Sequence, residues 1–292
     1  MPEMPTATTT KDEIILEGFI DYAGLYPPAN LDMESTVHNW SKYLQTDDSW
    51  MLARLIIPAS GLNEFKRVSQ KFLPSEQEEV WQLSVLLPPA NSEQFESAVN
   101  QTVEFNISDC GAVANVVEFQ ANTIDEINSA FSVLHDDLFP FVELPVNEDP
   151  RGLIASLSGA IAGAKVRTGG IKPELYPTPA NLARFIHACS IAGQPFKATA
   201  GMHHPCQNKN EKVGVIEYGF LLVLQATAAV SVQDANVDDV ESILMNESPD
   251  FSMFSENELE QVRAELFNSL GTCSFDEPRV DLRRMGLLKE IE

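Results

Sequence analysis

Short apolar runs alternate with segments of helical spacing through the first two thirds of this chain, and that alternation restricts the fold more than any other feature. The runs Glu13–Ile20, Met51–Ile57, Trp81–Leu87, Val113–Gln120, Phe139–Val146, Lys165–Thr168 and Phe196–Ala200 have the length and composition of strands. Between them, Asp32–Leu44, Gly61–Phe72, Ser92–Val103, Thr123–Leu134, Arg151–Ile161 and Pro179–Ala192 read as helices. The punctuation agrees. Pro58 and Pro88-Pro89 stop strands, Ser92 can cap a helix, Thr123 with Glu126 forms a capping-box pattern, and Gly193 ends a helix.

Strands joined through helices must run parallel, because a strand needs a long crossover to return in the same direction. Seven such units by residue 200 predict a single (β/α)8 barrel of the TIM type. Extra helices fall between strands seven and eight, at Val213–Val232, Val237–Met245 and Glu256–Leu270. Strand eight is expected at Gly271–Phe275, with Phe251–Phe254 as the other choice. An open doubly wound sheet is the alternative, but neither GxGxxG after strand one nor GxxxxGK[ST] is present. The expected organisation is a flexible polar tail over 1–12 and one barrel domain over 13–292.

The chain of 292 residues is 44% apolar, enough for a large core, and carries a formal net charge of −24. An exterior so acidic repels phosphate backbones and anionic lipid, which argues against nucleic-acid and membrane partners. It also makes any local cluster of cations informative. The N-terminus lacks a signal-peptide pattern, and Cys110, Cys189, Cys206 and Cys273 are scattered without CxxC, as in a protein of the cytoplasm with reduced thiols. A homo-oligomer is compatible with these features.

The informative cations lie in Ala164–Pro205. Lys165 and Arg167 sit on one strand, two residues apart and so on one face, and Lys197 sits on the next strand. Barrel active sites lie at the C-terminal ends of the strands. Polar residues in or just after the apolar runs are therefore the candidates: Asp21, Tyr22, Arg54, Glu118, Glu143, Lys165, Arg167, Lys197, His203 and His204. A buried lysine is costly unless paired, deprotonated or used. The plain alternative is a structural layer of ion pairs, favoured for Arg54 near the start of its strand and open for Glu118 and Glu143. Thr168-Gly169-Gly170, Thr199-Ala200-Gly201 and Gly271-Thr272-Cys273-Ser274 can be tight turns, or backbone N–H nests for a phosphate or carboxylate. Adjacent His203 and His204 diverge in extended chain and HExxH is absent, so no metal is expected. Cys273 and Cys206 show no base partner in the sequence and read as buried thiols.

Three motifs carry a resemblance. Lys165-Val166-Arg167-Thr168-Gly169 resembles the strand bearing the Schiff-base lysine of deoxyribose-phosphate aldolases. Lys197-Ala198-Thr199-Ala200-Gly201 resembles the strand of their second lysine, and Gly271-Thr272-Cys273-Ser274 resembles their strand-eight phosphate loop. The order along the chain is the same, over about fifteen residues. Arg167 replaces a small residue of that family, and His203-His204-Pro205 and Ser274–Pro278 lie outside its pattern. Glu118 is the nearest positional counterpart of the family's strand-four aspartate. The whole set of motifs also resembles that of an uncharacterised bacterial family.

The resemblance implies a class I aldolase or related lyase without a cofactor, acting on a small carbonyl substrate. Lys165 would be the nucleophile and Lys197 would lower its pKa. Glu118, Glu143 and His203 would move protons. Arg167, Thr168, Gly169, Gly170, Thr199, Gly201, His204, Gly271, Thr272 and Ser274 would hold an anionic group. Two further expectations remain open: an isomerase or phosphoribosyltransferase-like barrel that grips anions without covalent chemistry, and a non-catalytic barrel that binds an anion or a partner.

Overall fold

The computed structural model describes residues 11–73, 80–108 and 110–289. The first helix, α1 (Lys11–Leu16), leads into β1 (Ile20–Tyr22). Five strand–helix units follow: α2 (Met33–Tyr43) with β2 (Leu52–Pro58), α3 (Leu62–Ser69) with β3 (Trp81–Leu86), α4 (Phe95–Ile107) with β4 (Ala112–Gln120), α5 (Ile124–Phe131) with β5 (Phe139–Glu143), and α6 (Arg151–Leu157) with β6 (Gly163–Arg167). Then come α7 (Pro179–Ala192), β7 (Phe196–Thr199), a hairpin of β8 (Asn208–Asn210) and β9 (Val215–Glu217), and helices α8 (Phe220–Gln233), α9 (Val237–Leu244) and α10 (Glu256–Glu265). The chain ends in β10 (Phe267–Thr272) and α11 (Asp276–Arg284).

Eight strands close in the order β1-β10-β7-β6-β5-β4-β3-β2, with every pairing around the ring parallel. This is the (β/α)8 barrel that the alternation predicts, with the extra helices between its seventh and eighth strands. The caps hold in part. Thr123 accepts from the Glu126 N–H, but the Glu126 carboxylate accepts from the Asn122 N–H and leaves the box open. Gly193 ends α7 at φ 59°, a left-handed turn that glycine adopts without a Cβ penalty.

The register aims the side chains. Phe196 packs edge-on against Phe185 of α7, so β7 turns Phe196 outward and Lys197 inward. In β6 the fully buried Ala164 and Val166 alternate with Lys165, which therefore also points inward. Lys165 and Lys197 are direct register partners on neighbouring strands. A charged layer thus occupies the centre of the barrel.

Three segments correct the expectations from sequence. The first strand is not Glu13–Ile20: the Ile14-Ile15-Leu16 run belongs to helix α1, and only Ile20–Tyr22 enters the sheet. Lys11 anchors that helix by donating to the carbonyls of Phe251 and Phe254, contacts far away in sequence. Val213–Val232 is not one helix, because the β8–β9 hairpin turns at Gly214 (φ 77°) and α8 starts only at Phe220. Strand eight is Phe267–Thr272, not Gly271–Phe275. No glycine or proline separates it from α10, and Leu259, Val262 and Leu266 continue in helical spacing up to Phe267. Of the tail expected over 1–12, residues 1–10 lie outside the described residues, and Lys11 and Asp12 open α1. Among the described residues, no helix is long and apolar enough to cross a membrane.

Candidate active site

Lys165 stands at the middle of a chain of ion pairs through the barrel. Its Nζ lies 2.7 Å from Glu118 Oε2 and 3.1 Å from Glu143 Oε2. The other Glu118 oxygen, Oε1, accepts from Lys197 Nζ at 2.5 Å and from the Ser84 hydroxyl at 2.6 Å. Lys197 also donates to Asp21 Oδ2, which takes a further hydrogen bond of 2.9 Å from Ser269. At the other end Glu143 Oε1 accepts from Arg167 Nε at 3.1 Å. Six charges from β1, β4, β5, β6 and β7 thus alternate in sign and cancel: Asp21, Lys197, Glu118, Lys165, Glu143, Arg167. Asp21, a candidate from its place at the end of the first strand, thus completes the balance that Glu118 and Glu143 alone would leave one charge short.

The alternation decides how the groups titrate. Burial alone would push the Glu118 carboxyl up, but the ammonium groups of Lys165 and Lys197 outweigh it and hold the carboxyl far below its ordinary value. Glu143 follows the same balance, with burial outweighed by Lys165 and Arg167. Burial works to lower Lys165, yet Glu118 and Glu143 prevail and raise it. Lys165 is therefore an ammonium in the resting site. The expectation that Lys197 depresses it does not match this geometry, because the Glu118 carboxylate stands between the two amines.

Above this layer lies a cavity of about 290 Å3 at the C-terminal mouth of the barrel. That size suits a small metabolite. Glu118, Lys165, Arg167, Gly170, Thr199, His203 and Gly271 line it, which brings together seven of the residues expected from sequence. Lys197 does not reach it: the side chain is fully buried beneath, whereas Lys165 faces the opening. Glu143 orients Lys165 and Arg167 from behind.

The remaining expected residues shape the rim. The Thr168 hydroxyl donates to the carbonyls of Thr199 and Ala200, tying the loop after β6 to the loop after β7. Gly201 has φ 73°, and a Cβ on Gly169 would stand 3.0 Å from the Gly201 Cα, so the two loops touch backbone to backbone. The Thr272 hydroxyl donates to the Ser274 carbonyl, and Ser274 Oγ accepts from the Glu277 N–H. His204 is turned away and pairs with Asp281 at 2.6 Å. Arg54 donates to the Asn115 amide oxygen at 3.3 Å, a neutral partner outside the charged layer, so the ion-pair role expected for it is not the one it has.

One group went unread in the sequence, and two others have surroundings that only the fold reveals. The Tyr26 hydroxyl lines the cavity, is buried, and has no hydrogen-bond partner among the described residues. Burial, with a lesser push from Glu118, raises its pKa far above the ordinary value, so it stays a phenol. It follows strand one in a turn-rich loop, where a tyrosine has no period to betray its direction. Asp21 Oδ1 is likewise buried and unpartnered. Cys273 lines the cavity too, buried as expected, with His203 Nε2 3.9 Å from its sulfur.

No protein-family model matches the sequence, and no curated protein matches it. The resemblance to deoxyribose-phosphate aldolases therefore stands on its three motifs alone. Among solved structures, the citrate lyase beta subunit from M. tuberculosis, complexed with oxaloacetate and magnesium, aligns with a TM-score of 0.41 and 7% identity, over 80% of this chain and 100% of that one.

Proposed function

We propose that this barrel, spanning 13–292 as one domain, is a small-molecule enzyme of the aldolase/lyase type that binds an anionic carbonyl compound and forms a Schiff base at Lys165. One observation carries the proposal: of the two lysines in the charged layer, Lys165 faces the cavity and Lys197 is sealed beneath it. The roles then divide. Lys165 is the nucleophile, and Lys197 holds Glu118 in place as a fixed counter-charge.

The chemistry begins with a proton transfer from the Lys165 ammonium to Glu118 or Glu143, both within hydrogen-bond reach. The freed amine attacks the carbonyl carbon, and the C=O electron pair moves to oxygen, which takes up a proton. Loss of that oxygen as water leaves an iminium, which takes up the electron pair of the Cα–Cβ bond as an enamine when the β-hydroxyl gives its proton to a base and the β carbon leaves as an aldehyde. Arg167, partly exposed at the rim, suits a carboxylate or phosphate of the substrate, with the loops of Gly169-Gly170, Thr199–Gly201 and Gly271–Ser274 beside it. His203 and the Tyr26 phenol are the proton donors available on the remaining wall.

A second reading is favoured by one specific observation, the raised pKa of Lys165 between two carboxylates. A lysine held as an ammonium can grip an anion without covalent chemistry, as in an isomerase. The readings separate on treatment with borohydride in the presence of pyruvate, glyoxylate or dihydroxyacetone phosphate. Schiff-base chemistry gives a stable mass adduct on Lys165. It is ruled out if no adduct forms, or if an adduct survives replacement of both Lys165 and Lys197 by alanine. Anion gripping predicts no adduct and partial activity in Lys165→Arg.

A further inference from the structure

Two strands from Lys165 in the barrel order, just past the end of β10, the cavity wall holds a second set of reactive groups. Cys273 Sγ lies 3.9 Å from His203 Nε2, and the other ring nitrogen, Nδ1, lies 2.9 Å from Glu277 Oε2 and 3.3 Å from the Thr272 hydroxyl. A thiol, an imidazole and a carboxylate are thus in line through opposite ring nitrogens, the arrangement that activates a nucleophile and fixes its base. Both Cys273 and His203 are buried yet line the cavity, and Glu277 reaches them from α11 with half of its side chain in solvent.

We propose that Cys273, His203 and Glu277 form a nucleophilic triad that captures small aldehydes at Cys273, independently of any chemistry at Lys165. In the thiolate–imidazolium form of the pair, sulfur attacks the aldehyde carbon and the S–C bond forms. The carbonyl π pair goes to oxygen, which takes the Nε2 proton of His203. The product is a thiohemiacetal, and reversal returns thiol and aldehyde with no oxidant or reductant. Arg167 on the same cavity favours an aldehyde that carries a carboxylate or phosphate.

The surroundings are consistent with a charged His203. Burial works to lower its pKa, but the contacts with Cys273 and Glu277 raise it to about 10. Glu277 in turn is held below its ordinary value, first by its hydrogen bond to His203 and further by the charge of His203, which together outweigh burial. Tyr22 faces Cys273 from β1, and burial raises it, so it adds no charge near neutral pH.

The test uses the full chain and iodoacetamide, which converts Cys–S− to a thioether with loss of iodide, followed by peptide mapping. Cys110 and Cys206, both partly exposed, serve as internal references. Cys273 should react ~10-fold or more faster than Cys206 at pH 7, as expected for a thiol beside an imidazolium. His203→Gln should abolish that advantage, and Glu277→Gln, a half-exposed position that will not threaten folding, should reduce it. With 13C-labelled glyoxylate, the wild-type chain should show a thiohemiacetal carbon resonance that is missing in Cys273→Ser. Equal alkylation of Cys273 and Cys206, no change in either variant, or no such resonance would each overturn the proposal. None of these readouts depends on an adduct at Lys165, whose own failure shows as the missing borohydride product.

Discussion

Lys165 and Lys197 are register partners on adjacent parallel strands, and each amine is bonded to a different oxygen of one carboxylate, Glu118. Two ammonium groups side by side in a buried layer would repel strongly. The bridging carboxylate turns the repulsion into two attractions and fixes both side chains. Glu118→Gln keeps the shape and removes the charge. It should destabilise the fold by about 3–5 kcal/mol, the usual loss when a buried pair is broken and a charge is left uncompensated. Urea denaturation of the wild type and variant measures this. A loss below about 1 kcal/mol, the range of exposed pairs, would show that the layer is not a coupled network.

The same layer sets the response to acid. Glu118 and Glu143 have folded-state pKa values below their ordinary values, so the folded protein binds fewer protons than the unfolded chain in the acid range. Their contribution to stability is complete above the ordinary glutamate pKa near 4.5 and is lost as pH falls below it toward the folded values. Lys165 has the opposite sign. Its raised pKa stabilises the fold below the ordinary lysine value of 10.5 and fades only as pH rises above that. The denaturation midpoint should therefore drop below about pH 4.5, and, because His203 is raised from 6.5 to about 10, it should also decline as pH rises above about 6.5. Glu143→Gln should flatten the acid limb.

Tyr26→Phe separates catalysis from stability. The hydroxyl is buried without a partner among the described residues, so its removal leaves none of their groups unsatisfied and relieves one that already is. Stability should be unchanged or higher. If the phenol donates a proton or hydrogen bond to bound ligand, turnover should fall by about 10²–10⁴-fold, the usual range for a general acid. The check pairs thermal denaturation with a rate on any substrate found by the borohydride screen. Lower stability with unchanged turnover would assign Tyr26 to the scaffold.

Much of the barrel was legible because its punctuation is local. Pro58, the Pro88-Pro89 pair and Gly193 act on their own neighbours, and the alternation they mark is itself the fold. The misread segments are those where a distant contact decides. Ile14-Ile15-Leu16 has strand composition, but Lys11 reaches across to the carbonyls before α10, and the run winds as a helix. Of the site, Lys165 and Arg167 could be placed on one face from a spacing of two. That Asp21 answers Lys197 across 176 positions, or that His203 stands beside Cys273 across 70, follows only from barrel closure.

The rim loops give the last prediction. Gly201 adopts φ 73°, and an added Cβ would meet the Thr168 carbonyl oxygen at 3.2 Å and the Gly169 Cα at 3.3 Å. An alanine here is strained in two ways: a left-handed backbone costs about 1–2 kcal/mol for an L-residue, and the loop after β6 must retreat. The retreat would disturb the hydrogen bonds from Thr168 to Thr199 and Ala200, and with them the cavity wall next to Lys165. Gly193→Ala is the control, with a similar φ of 59° but open space around its Cβ and no part in the mouth. Both variants should lose stability through the backbone term, whereas Gly201→Ala alone should also weaken ligand binding or adduct formation at Lys165. Equal effects of the two on the adduct would mean that the contact between the loops after β6 and β7 does not shape the site.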